Sequence, residues 1–136
     1  LKHEDVLNYL EEQIKNTATS RKLINLRSGV PYDLMNRLHR QTGMRVSTFM
    51  QALNAINNNK QQRQEDIMQT LARNLNKYFS TSVRAFARKV QMDYWTILAL
   101  TNASRRDTYI ATLDQLANQL DTTIVELLTE DKEKTL

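Results

Sequence analysis

Apolar residues recur in the same order at a spacing of about 61 positions, and a repeat of that length confines the chain to two copies of one small unit. A shift of 61 lays Val6, Leu7, Leu10 and Ile14 on Ile67, Met68, Leu71 and Leu75. A shift of 62 lays Ser20, Ile24, Val30, Tyr32, Met35 and Leu38 on Ser82, Phe86, Met92, Tyr94, Ile97 and Leu100. A shift of 60 brings Arg45, Phe49, Met50, Leu53 and Ile56 onto Arg105, Tyr109, Ile110, Leu113 and Leu116, and small changes in loop length account for the drift. The three-to-four-residue intervals within each segment put the apolar side chains on one helical face. With only two glycines and one proline, the chain favours helices over tight-turned strands. The expected fold is all-α: two bundles of four to five short helices each, related by internal duplication.

Each copy reads as the same series. Helix one carries Leu7, Leu10 and Ile14, or Met68, Leu71 and Leu75. Ser20 and Ser82 are suited to cap helix two, since a serine oxygen accepts an otherwise unpaired backbone N–H, and that helix runs to about Arg27 or Lys89. The turn Ser28-Gly29-Val30 has Gln91 in the place of Gly29, the residue best able to adopt a left-handed backbone. Pro31 suits a first helical turn and Asp93, at the matching place, is a strong N-cap. Helix three is then expected over 31–39 and 93–101, and helix four over 46–57 and 107–119. Asp121 with Ile124, Leu127 and Leu128 points to a short fifth helix in the second copy.

The polar run from Asn57 to Gln64 has no apolar periodicity and reads as a linker or an exposed helical connection. The resulting division is a first unit over 1–57, a linker over 58–65, a second unit over 66–128 and a charged tail over 129–136. No apolar run approaches the ~20 residues of a membrane span, and the expectation is a soluble, cytoplasmic protein without a membrane partner. The absence of cysteine removes disulfides, thiolate metal sites and thiol nucleophiles. His3 and His39 have no second ligand at a suitable spacing, so neither a metal nor a cofactor is expected. Glu11-Glu12 reads as a solvated face, and no Ser/His/Asp set or glycine-rich phosphate loop appears, so the chain is not expected to be an enzyme.

The segment from Ser20 to Leu38, Ser-Arg-Lys-Leu-Ile-Asn-Leu-Arg-Ser-Gly-Val-Pro-Tyr-Asp-Leu-Met-Asn-Arg-Leu, resembles the helix-turn-helix of the Cro and phage-repressor (Xre-type) family, and Ser82 to Leu100 resembles a diverged second copy. Phe86-Ala87 matches the family's apolar-small pair late in helix two, where the first copy has Ile24-Asn25. Met92, Ile97 and Leu100 take the places of the family's buried aliphatics, and Leu113, Leu116, Ala117, Leu120, Ile124, Leu127 and Leu128 resemble the end of its domain. The likeness extends over most of residues 6–128. It implies tandem helix-turn-helix units binding double-stranded DNA.

Side-chain chemistry gives that implication a mechanism, because a helix held across another by a short turn can enter the major groove and meet base edges. The exposed positions of helix three are Tyr32, Asp33, Asn36, Arg37 and Arg40 in the first copy; Asn pairs bidentately with adenine and Arg with guanine. In the second copy they are Tyr94, Trp95, Leu98, Ala99 and Asn102, and Leu98 and Ala99 can only touch a thymine methyl. Tyr94 and Trp95 offer stacking on bases or, as the commoner fate of a helical aromatic, a place in the core. Arg21, Lys22, Arg84, Arg88, Arg105 and Arg106, with Arg45 aligned on Arg105 and the cap residues Ser20 and Ser82, lie near helix starts or before helix four, where phosphates are expected. The whole chain is only +4, yet residues 20–45 hold six cations against Asp33 and residues 79–106 hold five against Asp93. Clustered cations beside a reading motif form an electrostatic footprint for nucleic acid.

The expected function is sequence-specific DNA binding, as a transcriptional regulator such as a repressor or as an accessory factor of a mobile element, plasmid or phage. One chain would act as a monomeric internal pseudo-dimer, with further self-association open. The alternative is a protein-interaction adaptor on the same scaffold, which Leu98, Ala99 and Trp95 keep in view. RNA binding is weaker, since aromatic sheet platforms and RNA-binding loops are missing.

Overall fold

A computed structural model describes residues 9–10, 12–16, 44–78 and 82–130. Six helices follow in chain order: α1 (Val46–Ile56), α2 (Gln64–Asn76), α3 (Val83–Val90), α4 (Tyr94–Thr101), α5 (Ile110–Leu120) and α6 (Ile124–Leu128). Residues 9–10 and 12–16 are also helical, and no strand forms among the described residues, so the fold is all-α. The chain divides into two compact units, one of residues 1–62 with 108–111 and one of residues 63–107 with 112–136.

In the first unit, Val46, Phe49, Met50, Leu53 and Ile56 recur at helical intervals on α1 and are buried, as are Leu10 and Met44. The start of α1 has no side-chain cap; instead the Val46 amide donates to the Thr108 carbonyl at 2.9 Å. The residues read as linker fold back on the helix: Asn54, itself buried, donates from Nδ2 to Gln62 Oε1 at 3.1 Å, and Gln61 Nε2 donates to the Gln51 carbonyl at 3.0 Å.

The second unit is built around α2, which packs on α4 and α6 while α3 packs on α4. Ile67, Met68, Leu71 and Leu75 from α2, Phe86 and Val90 from α3, Ile97 and Leu100 from α4, and Ile124, Leu127 and Leu128 from α6 are all buried and belong to its core. The end of α2 also serves polar groups. The last carbonyls of a helix have no partner within it. Asn74 Nδ2 donates to the carbonyls of Leu127 (2.8 Å), Thr129 (2.9 Å) and, at longer range, Glu126 (3.4 Å) at the end of α6. Asn76 Nδ2 donates to the Thr101 carbonyl, the last residue of α4, at 2.9 Å.

Among the described residues, four helices terminate on left-handed residues other than glycine: Asn58, Gln91, Ala103 and Asp121, with φ of 56°, 57°, 59° and 54°. After α3 the Gln91 amide donates to Arg88 and the Met92 amide to Ala87, the paired bonds of a Schellman ending. The same pair closes α1, from Asn58 to Ala55 and from Asn59 to Asn54.

One sequence expectation is corrected here. The last long helix begins at Ile110, not 107, and α1 and α5, each 11 residues, start 64 residues apart. Phe49 therefore shares its helical position with Leu113, and Tyr109, half exposed, precedes the helix. An apolar pattern repeats itself after a slip of one turn, about 3.6 residues, so periodicity alone does not resolve the register. The expected short fifth helix is present as α6; Thr123 caps it, its Oγ1 accepting the Glu126 amide at 3.1 Å, and Asp121 closes α5.

Candidate nucleic-acid interface

The segment from Ser82 to Thr101 is two helices joined by a fixed turn, and each joint has a local cause. Ser82 Oγ accepts the Ala85 amide at 3.1 Å and starts α3. Gln91 supplies the left-handed residue, and Gln115 Nε2 donates to its carbonyl at 3.2 Å, tying the turn to α5. Asp93 Oδ2 accepts the Thr96 amide at 3.1 Å and starts α4. Burial of Phe86, Ala87 and Val90 on α3 and of Ile97, Leu100 and Thr101 on α4 then orients the two helices against the core.

That packing exposes the other side of α4. Trp95 is two residues before Ile97, a rotation of about 200° around the helix, and is 70% exposed. Core packing, the commoner expectation for it, is thereby corrected: α4 is apolar nearly all round, and among the described residues it is the face of Ile97, Leu100 and Thr101 that is buried. Tyr94 is half-buried, its ring in an edge contact with Trp95 at 5.1 Å and 77°. The Arg84 guanidinium lies over the Tyr94 ring at 4.9 Å, bringing a cation of α3 to the aromatic pair. Arg88, one turn further along α3, is exposed as well. Leu98 and Ala99 are half-exposed on α4.

Asn102 stands at the far end of α4, and its Oδ1 accepts the Ser104 amide at 2.9 Å, so its acceptor is engaged in the turn. Beyond it, exposed Arg105 and Arg106 line an open groove of about 620 Å³ together with Arg63, Gln64 and Met68 from the α2 end. Gln64 Nε2 donates to the Arg106 carbonyl, and Arg63 pairs with Glu65. Arg63 shares this groove although 42 residues separate it from Arg105, and local sequence carries no signal that joins them.

In the first unit Arg45 is exposed, with its guanidinium 5.4 Å from the Tyr109 ring centre. Ser20, Arg21, Lys22, Tyr32, Asp33, Asn36, Arg37 and Arg40 lie outside the described residues, as does the tail over 131–136. Among the described residues no group of three His, Asp or Glu side chains is placed to hold a metal ion, and no helix is long and apolar enough to cross a membrane. No protein-family model, curated protein or solved structure matches the chain.

Proposed function

We propose that the chain binds double-stranded DNA sequence-specifically through two tandem helix-turn-helix units, as a transcriptional regulator or as an accessory DNA-binding factor of a plasmid or phage. The observation that carries this reading is the α3–turn–α4 unit itself: a capped helix whose inner face is buried by Ile97 and Leu100 and whose outer face is presented beside Arg84 and Arg88. A helix so held can lie in a major groove while cations at the start of its neighbour meet the phosphates. The first copy brings hydrogen-bonding residues, Asn36 and Arg37, to the same task, and internal duplication supplies both units within one chain. A mobility-shift assay with DNA surrounding the chain's own gene, with and without competitor DNA, tests it. A retarded band that survives excess competitor is expected. The adaptor reading is favoured by one observation, the exposed Trp95, and predicts no retardation at all.

A further inference from the structure

The outer face of α4 has an unusual chemistry for a helix that reads DNA. Trp95, Leu98 and Ala99 carry no hydrogen-bond acceptor among their side chains and, in the indole N–H, a single donor. Tyr94 adds one phenolic hydroxyl, but its ring is half-buried, in edge contact with Trp95 and under the Arg84 guanidinium, and Thr96 is held by Asp93: its amide and its Oγ1 lie 3.1 and 3.4 Å from Asp93 Oδ2. Asn102 has its acceptor engaged with the Ser104 amide. Trp95, Leu98 and Ala99 therefore cannot select bases by the paired hydrogen bonds that Asn and Arg make. The major groove offers it one apolar group, the C5-methyl of thymine.

We propose that α4 selects thymine through its C5-methyl group, with Trp95 and Leu98 forming the apolar contact, so that the second unit reads methyl positions where the first reads hydrogen-bonding edges. This rests on the DNA-binding reading above. The choice of DNA over a protein partner for this face follows from charge. Arg84 stands over Tyr94 at the edge of the apolar patch, Arg88 and Lys89 follow on α3, and Asp93, next to Tyr94 in sequence, is turned to the helix start. A cation-rimmed apolar strip complements a groove whose walls are phosphates and whose floor carries methyl groups.

The test uses duplexes recovered from a randomised pool by binding to the full chain and resynthesised with uracil in place of thymine, one position at a time, which removes only the methyl. Burial of one carbon of this size corresponds to about a fourfold change in affinity. A loss of about fourfold per methyl is expected at the positions of one half of the site. Trp95→Ala and Leu98→Ala should each diminish the preference for thymine over uracil while leaving the melting curve in place. Trp95 is the chain's one tryptophan, and its fluorescence should change on binding the thymine duplex. Equal affinity for thymine and uracil duplexes would overturn the methyl reading and leave DNA binding intact. A preference that persists undiminished in both variants would also overturn the assignment to α4. Failure to recover any duplex would overturn the DNA-binding reading and this inference with it.

Discussion

Arg45 and Tyr109 face each other across an isolated antiparallel bridge in which their neighbours exchange backbone bonds: the Val46 amide donates to Thr108 and the Ile110 amide to Met44, each at 2.9 Å. The first amides of a helix lack partners within it. Here one amide at the start of α1 and one at the start of α5 is satisfied by the segment preceding the other helix. The Arg45 guanidinium lies over the Tyr109 ring above this reciprocal pair.

The ring contact is exposed, so its expected worth is about 0.5–1 kcal/mol. A double-mutant cycle of Arg45→Ala and Tyr109→Ala in urea unfolding should return a coupling of that size. The Val46 and Ile110 amides should both resist hydrogen exchange; rapid exchange at either would contradict the bridge.

Left-handed backbone costs a non-glycine residue about 1–2 kcal/mol, and asparagine or aspartate tolerates it best. Gln91→Gly and Ala103→Gly are therefore expected to stabilise the protein by about 1 kcal/mol each, with Asn58→Gly contributing less. Denaturant midpoints decide the matter; a loss of stability in both glycine variants would place the turns elsewhere.

Asn74 is 6% exposed and serves the carbonyls that end α6. Asn74→Ala takes this donor from the buried Leu127 carbonyl, and a loss of about 1–3 kcal/mol should follow. Asn74→Leu should be no better, because the apolar side chain cannot restore the bonds. A neutral Asn74→Ala variant would contradict the clamp.

On α4 the two faces should separate cleanly. Ile97 is fully buried, and Ile97→Ala should cost about 2–5 kcal/mol without DNA present. Trp95→Ala, at a site 70% exposed, should stay within about 0.5 kcal/mol. Equal losses in thermal melts of the two variants would mean that the helix is rotated from the orientation described.

The local features of the fold are legible in the sequence. Ser82 and Asp93 cap α3 and α4 because the accepting oxygen and its amide are three residues apart, and the unusual place of Gln91 is visible against Gly29. The sequence does not expose the start of α5, because amphipathic patterns look alike after a one-turn slip. The Asn74 clamp was hidden for a different reason: its partners lie 53 and 55 residues away, and an asparagine inside an amphipathic helix carries no mark of that contact. The fate of Trp95 depended on which face of an almost wholly apolar helix found a partner, and that is decided by packing rather than by the eight residues themselves.

Specific recognition of duplex DNA is measured by anisotropy titration of a selected duplex and a scrambled duplex of the same composition over a range of salt concentrations. With about six phosphates neutralised by Arg21, Lys22, Arg84, Arg88, Arg105 and Arg106, log affinity should fall against log salt with a slope of roughly −5. The selected duplex should bind at least about 1,000-fold more tightly than the scrambled one. Equal affinities for the two duplexes, or binding indifferent to salt, would contradict the account.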